Sequence, residues 1–247
     1  MQHIYRIKSS QNWICPKSGA WKVICVGGGA SGGFVLIEGC TPIQQPGGTT
    51  SFGNLLTASG GKVSPIIAFP QMETGVTDLK SADRKYISCG GFGGWDGINY
   101  GGSPAYSVSA TNKLGGVFSS SGNGGFLGCA GIGYGAGGGF TAINNDDGFT
   151  FYTNENNTTY IHGKARGVPG LCGEMTNGIF DLTASQSVAC TVGTSAKPDI
   201  TETMLNSHIQ QISSVYHFSG NQTNNITTLE NHITAGTSGI IYLEYLG

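Results

Sequence analysis

Charged side chains are scarce in this sequence: they make up 11% of its 247 residues, and the formal net charge is only -2. A nucleic-acid-binding domain needs a basic surface, so we expect no nucleic-acid partner. No apolar run approaches the roughly 20 residues of a membrane-spanning helix. The first residues also lack the apolar centre of a secretory signal. We therefore expect no membrane span, and synthesis in a cytoplasm.

The sequence also lacks catalytic and metal-binding signatures. Its seven cysteines are widely spaced, with no Cys-x-x-Cys pair and no histidine at ligand spacing, so small buried hydrophobic residues are their simplest role. His162, His208, His217 and His232 have no Ser or Cys nucleophile motif nearby. Acidic residues could still pair in space, as in a glycosidase. We predict no enzyme, no metal and no cofactor, with a carboxylate pair as the open alternative.

One glycine pattern matches a dinucleotide-binding motif, but the residues that follow it do not fit such a site. After the apolar stretch 21–26, Gly27, Gly29 and Gly32 match the Gly-x-Gly-x-x-Gly pattern. That site requires a helix after the glycines and an acidic residue about 20 positions further on. Here another apolar stretch, 34–37, follows at once, and Glu38 comes too early. We predict no FAD or NAD.

Glycine is the abundant residue, with 43 of 247 positions, whereas about 7% is usual. It is densest between 115 and 139. Glycine costs a helix about 1 kcal/mol relative to alanine and leaves a strand without packing side chains. The polyglycine II-type extended helix has about three residues per turn and no internal hydrogen bonds, so its backbone can bond to neighbouring segments. Laterally bonded segments of this kind explain the composition.

We predict a mainly β and irregular fold in one glycine-rich domain, 1–247. In this fold β-strands frame a glycine-rich core of packed polyglycine II-type extended helices with displayed loops, and there is little α-helix. N-terminal strands and the first glycine tracts occupy 1–64, glycine tracts with variable loops 65–179, and a C-terminal hairpin and closing strand 180–247. The scaffold glycines are Gly27, Gly28, Gly29, Gly32, Gly33, Gly124, Gly125, Gly137, Gly138 and Gly139.

Local patterns predict individual elements. We predict an internal strand at 240–246, a loop at 65–85, an ordered loop or hairpin at 144–160, and a short helix after Pro198 that buries Ile200, Met204, Ile209 and Ile212. Further strands are predicted at 3–7, 13–15, 21–26, 34–37 and within 49–61, and a strand-turn-strand unit at 180–193 with Val188, Cys190 and Val192 on one face.

Aromatic and small polar residues interrupt the glycine tracts. Such residues are typical of recognition loops, and a rigid scaffold tolerates sequence changes in the loops it displays. Alternatively, the aromatic side chains shield the glycine segments from water. The candidate receptor-binding residues are Trp95, Asp96, Asn99, Tyr100, Tyr106, Phe149, Tyr152, Asn154 and Tyr160.

Four ordered segments resemble the glycine-rich proteins and domains of bacteriophage tail fibres and tail tips. The first runs from Trp13 through the apolar stretch 21–26 into the glycines at 27–33, and the second is 47–61. The third, 182–193, resembles a late hairpin, with Ser185 where the family pattern has glycine. The fourth, 237–246, resembles the closing strand. Together the four segments bracket nearly the whole chain.

The resemblance implies an adhesin at a tail-fibre tip, in which polyglycine II helices pack into a sandwich and variable loops bind a host surface receptor. The implied partners are a glycan or outer-surface protein of the host and other tail-fibre proteins, and the implied location is the virion. The chain departs from the family in one respect, since we expect no separate domain before the glycine-rich part that would seat it on a fibre, and its mode of attachment stays open. A homotrimer and a single copy on a trimeric fibre both fit. The alternative is a structural virion component that binds only neighbouring virion proteins.

Overall fold

The computed structural model describes residues 3–35, 40–63, 85–86, 92–93, 99–100, 133–135, 137–138, 149–153, 161–163, 166–168, 170–211, 216–218 and 222–247. In these ranges the protein is mainly β with little helix, which confirms the predicted class. The strands are β1 (Ile4–Ile7), β2 (Gln11–Ile14), β3 (Gly19–Val26), β4 (Gly33–Val35), β5 (Thr50–Phe52), β6 (Leu56–Ala58), β7 (Lys85–Tyr86), β8 (Phe92–Gly93), β9 (Asn99–Tyr100), β10 (Phe149–Thr153), β11 (Ile161–Gly163), β12 (Arg166–Val168), β13 (Met175–Leu182), β14 (Ser187–Thr191), β15 (Tyr216–Phe218) and β16 (Ile240–Tyr245). The helices are α1 (Glu202–Gln210) and α2 (Gln222–His232).

Two antiparallel sheets form a sandwich. One has the strand order β1-β16-β3-β13-β7, and the other has the order β2-β14-β5-β6. The strand β16 lies between β1 and β3, and all but its last residue are buried, which confirms the prediction of an internal strand. Most of the predicted strands are present, although β4 ends at Val35 and the rest of 34–37 lies outside the described residues.

Alternating side chains of both sheets fill the space between them. Trp21, Val23 and Cys25 of β3 meet Trp13 and Phe52 of the other sheet. The rings of Trp13 and Trp21 are 5.2 Å apart in an edge-to-face arrangement. Each large apolar side chain buried here contributes roughly 1.5–3 kcal/mol to stability. The predicted common face of β14 is confirmed, since its residues in this core are Val188 and Cys190, followed by Val192.

The cysteines in the described ranges are buried, as predicted, and form no disulfide with one another: Cys15, Cys25, Cys40, Cys172 and Cys190. Burial raises the pKa of Cys190 to about 11. Burial also raises the pKa of Cys25, and the nearby Cys190 adds to that effect. Both thiols are therefore protonated at neutral pH and pack as small hydrophobic groups. Cys89 and Cys129 lie outside the described residues.

Six strands of the sandwich continue directly into extended segments. We call these six segments, together with the described residues of 133–138, the bundle. Segments 27–32, 59–61 and 193–194 leave the sandwich after β3, β6 and β14. Segments 45–48, 170–174 and 234–239 return to it before β5, β13 and β16. Backbone hydrogen bonds join these segments laterally, so the bundle is held together without a core of large side chains.

The segment 27–32 is bonded on three sides. Its successive N–H groups donate to three neighbouring segments in turn, and the cycle repeats after three residues, with N···O distances of 2.8–2.9 Å. The acceptors are carbonyl oxygens, and the pairs in order are Gly27 to Glu174, Gly28 to Gly48, Gly29 to Thr237, Ala30 to Leu171, Ser31 to Gln45 and Gly32 to Thr234. Within each neighbouring segment, the second acceptor lies three residues before the first along the chain.

Close backbone contact explains the glycines. A Cβ atom on Gly28 would lie 2.6 Å from the carbonyl oxygen of Thr194. On Gly27, Gly33 or Gly138 it would overlap a backbone carbonyl oxygen of another segment. Gly29, Gly32 and Gly137 are also described and lie buried, whereas Gly124, Gly125 and Gly139 lie outside the described residues.

The end of the sandwich away from the bundle is called the base. Its turns include 183–186, where Ser185 adopts a positive φ of 66°. Glycine adopts this conformation most easily, so Ser185 is strained at the position where the family resemblance has glycine. His3 and Gly247 also lie at the base, where their carbonyl oxygens accept from the N–H groups of Tyr245 and Ala20.

The predicted helix is present as α1, but one of its inward residues was wrong. Ile200 and Ile209 are buried, whereas Met204 is 37% exposed and Leu205 occupies the buried face instead. The helix begins only at Glu202, after the cap residue Thr201, so residues 205, 208 and 209 face inward. Ile212 lies outside the described residues. The polar sequence of α2 gave no helical pattern, and this helix was missed.

Candidate functional site

The described parts of three long stretches of chain meet at the end of the bundle opposite the sandwich. They are 33–44, 139–169 and 195–233, and we call them together the head. Before each stretch, the chain runs along a bundle segment away from the sandwich. After each stretch, it returns along another bundle segment toward the sandwich. The direction of 133–138 follows from its bonds: the N–H of Gly135 donates to Ser238, beside β16, and that of Gly138 donates to Ala30.

Strand pairing connects these stretches. The strand β4 of the first pairs with β12 of the second. The strand β10 of the second pairs with β11 on one side and with β15 of the third on the other. Of the predicted ordered loop or hairpin at 144–160, the structure describes only 149–153, which form β10; its partner β11 begins at Ile161, just after the predicted range. The head is therefore a structured assembly of distant chain segments.

The helix α1 is anchored to the first stretch by short polar contacts. The backbone N–H of Thr41 donates to the Oε1 atom of Gln211 at 2.8 Å. The Cys40 thiol donates to the carbonyl oxygen of His208 at 3.2 Å. At the start of α1, the hydroxyl of Thr201 accepts from the N–H of Met204 at 3.2 Å. The first two bonds hold the C-terminal half of α1 against the segment 40–41, and the third caps the start of the helix.

A buried histidine lies in this contact. His208 is 1% exposed. Burial lowers its pKa to about 4, and a hydrogen bond with the backbone of Thr41 opposes that shift in part. At neutral pH the imidazole is therefore uncharged, which suits a packing role between α1 and the segment at 40–41.

Two of the predicted receptor-binding residues lie in the described part of the head. Phe149 and Tyr152 belong to β10, the central strand of the three-stranded sheet, where Tyr152 is paired in register with His217. Asn154 and Tyr160 lie outside the described residues, in the connection between β10 and β11.

The other candidates belong to the stretch 62–132. Asn99 and Tyr100 form β9, which pairs with β8. Trp95, Asp96 and Tyr106 lie outside the described residues, the first two between β8 and β9. In the strand pairings of the described residues, β9 is not joined to β10. The strand β7 of the same stretch pairs with β13 of the sandwich, so this stretch extends beyond the head.

The sequence prediction missed the contribution of 195–233 to the head. Its sequence is polar and largely uncharged, and the aromatic pattern that selected the other candidates is weak there. The available signal was the helical spacing after Pro198, which predicted α1 but gave no reason to place it beside β15, the strand that pairs with β10.

The described residues contain no group of three or more His, Cys, Asp or Glu side chains that could hold a metal ion. Within the same ranges, no helix is both long and apolar enough to cross a membrane. Comparisons with protein-family models, curated proteins and solved structures found no match.

Proposed function

We propose that this protein is the receptor-binding component of a bacteriophage tail fibre or tail tip, and that its head binds the host cell surface. One observation carries the proposal: a backbone-bonded bundle gathers three distant stretches at one end, while the sandwich and its turns occupy the other. Scaffolds that hold loops at one end are typical of recognition proteins. Phe149 and Tyr152 lie in that end, and aromatic side chains provide contact area at low entropic cost.

We also propose that the bundle consists of polyglycine II-type helices. The support is the three-residue repeat along 27–32, because a chain with about three residues per turn presents every third N–H group in the same direction. Helices of this type can bond to several neighbours at once. Since the bonds are between backbones, the head sequence can diversify without altering the contacts that support it.

Binding to host cells tests the function. The purified protein is labelled at its N-terminus, two residues before His3 of the base, and titrated onto a panel of bacterial strains. The parent phage is then added to measure competition for adsorption. The proposed function predicts saturable binding to susceptible strains and a matching block of phage adsorption. Treating the cells with periodate or with protease distinguishes a glycan from a protein receptor.

Two double variants locate the site. Tyr152→Ala/Tyr160→Ala changes the head, and Trp95→Ala/Tyr100→Ala changes the stretch 62–132. Ile14→Ala, an exposed residue of β2, is the control. We expect the head variant to fold but lose at least about tenfold in affinity, or about 1.4 kcal/mol, while the control binds like wild type. Failure of the wild type to bind any susceptible strain, together with binding to other virion proteins, would instead support the structural alternative.

A further inference from the structure

The contact between α1 and the segment 40–41 encloses an ionisable side chain. His208 is buried there, and Leu205 and Ile209, on the same face of the helix, are fully buried beside it. The ring of His208 shares a hydrogen bond with the backbone of Thr41, on the other side of the contact. A proton added to this ring would therefore place a positive charge between two packed surfaces, where it is costly.

The bonds that join α1 to this segment lie within one turn of His208. Its own carbonyl oxygen accepts from the Cys40 thiol at 3.2 Å. The Oε1 atom of Gln211, three residues further on, accepts from the N–H of Thr41 at 2.8 Å. A charge on the ring therefore acts at the point where the helix is attached.

The helix α1 depends on this contact, whereas the bundle does not. It has nine residues, and an isolated helix shorter than about 12–15 residues is only marginally stable in water. The N–H groups along segment 27–32 donate to other bundle segments, so these bonds survive without α1. Loss of the contact can therefore release α1 while the bundle and the sandwich stay folded.

The ionisable groups on the elements around His208 supply little negative charge to offset a proton. The strand β15 packs against α1 as the segment 40–41 does. On these two elements and on α1 itself, the ionisable residues besides His208 are Cys40, Glu202, Tyr216 and His217. Burial raises the pKa of the Cys40 thiol, which keeps it neutral, and a second histidine can only add positive charge in acid. Glu202 is exposed in the first turn of α1, about 9 Å from His208 along the helix axis.

We propose that α1 is an acid-released element of the head: protonation of His208 separates the helix from the segment 40–41, and α1 then unfolds locally. Burial lowers the pKa of His208 from its ordinary value of 6.5 to about 4, and release returns the ring to water. The released state therefore binds the proton more readily, so release becomes more favourable as the pH falls from about 7 toward 4. Between pH 7 and pH 5, the equilibrium constant for release rises about 20-fold.

The consequence for recognition rests on the proposed function, because a receptor-binding head would lose the surface of α1 in acid. The release itself does not rest on it and is tested without a receptor, so either idea can fail while the other holds. The test is amide hydrogen exchange of the full chain, resolved by NMR and corrected for the intrinsic effect of pH on exchange.

We expect the protection factors of the α1 amides to fall about 20-fold between pH 7 and pH 5. Low concentrations of urea at pH 5 distinguish local release from global unfolding. They should leave the exchange of α1 nearly unchanged, because local release exposes little surface, and should speed the exchange of β3 and β16, which requires global unfolding.

Two histidine variants assign the response. In His208→Gln the protection of α1 should change by less than about twofold between the two pH values, whereas the matched control His232→Gln, in α2, should respond like wild type. Circular dichroism at pH 7 confirms that both variants are folded. An NMR titration of the wild-type His208 ring needs no variant, and it should show the proton binding well below pH 6.5.

Four results would each overturn the proposal. They are an α1 protection that is equal at pH 7 and pH 5, a 20-fold fall that persists in His208→Gln, an exchange of α1 that depends on urea as strongly as that of β3 and β16, and a wild-type His208 that titrates near pH 6.5.

Discussion

Adding one methyl group inside the bundle should destabilise the whole protein. In a Gly28→Ala variant the Cβ atom would lie 2.6 Å from the carbonyl oxygen of Thr194 and 3.0 Å from that of Gly193. Neither oxygen can turn away, because both belong to the backbone of another segment. The segments must therefore separate by several tenths of an ångström.

The cost has two parts. Overpacking a tight contact costs about 1–3 kcal/mol. Separation also weakens two backbone hydrogen bonds: the N–H of Gly28 donates to Gly48 at 2.9 Å, and its carbonyl oxygen accepts from Gly61 at 2.8 Å. Each such bond contributes about 0.5–1.5 kcal/mol. We expect a loss of about 2–6 kcal/mol, a large part of the 5–15 kcal/mol that is usual for a folded domain.

Gly178→Ala in β13 is the matched control. There the nearest atoms to the new Cβ belong to the ring of Phe180, at 2.7 and 2.9 Å. This half-buried side chain can move, and replacing glycine in a strand interior gains roughly 0.5–1 kcal/mol. We expect the control to stay within about 1 kcal/mol of wild type. Urea unfolding by linear extrapolation measures both variants. Equal stability of Gly28→Ala and Gly178→Ala would refute the close-packing argument.

Two further predictions concern the strained turn and the buried histidine. Ser185→Gly should stabilise the protein by about 0.5–1 kcal/mol, because it removes the penalty of about 1–2 kcal/mol for a left-handed backbone conformation at the cost of some backbone entropy. Urea unfolding should show no such gain for Ser185→Ala. Equal effects of the two changes on the free energy of unfolding would contradict the strain at Ser185. The pKa of His208 falls from 6.5 to about 4 on folding, so the unfolded state binds the proton more readily and stability is lost as pH falls through this window. Between pH 7 and pH 5 the loss from this residue is about 2 kcal/mol, and His208→Gln should lower the pH dependence of the unfolding free energy by that amount; an unchanged dependence would show that His208 is not the responsible group.

The sequence predicted the sandwich strands more reliably than the head. Strands such as β3 and β16 carry apolar residues on both faces, and burial on both faces follows from that pattern. The glycine clusters likewise predicted close backbone contact, and Gly27 and Gly28 make it. These features depend on residues that are near one another in sequence.

The arrangement of the head depends on partners that no local pattern specifies. Nothing near Tyr152 indicates that its strand pairs with residues 216–218, because that pairing requires the bundle to bring two distant stretches together. Met204 was placed inward because its spacing fitted an earlier helix start, whereas the cap at Thr201 shifts the buried face to Leu205. Register and helix start were set by tertiary contacts and capping rather than by hydrophobic spacing.

The three-sided bonding of 27–32 also governs the order in which the protein can fold during synthesis. Its partners at 45–48 leave the ribosome early, those at 170–174 much later, and those at 234–237 last. Contacts between residues so far apart in the chain slow folding, since loop-closure entropy must be overcome before the bonds form. Until the last partner emerges, the glycine segments keep unpaired N–H and C=O groups exposed to other nascent chains. Productive folding therefore requires the early segments to remain unassociated until residues 234–237 have been translated.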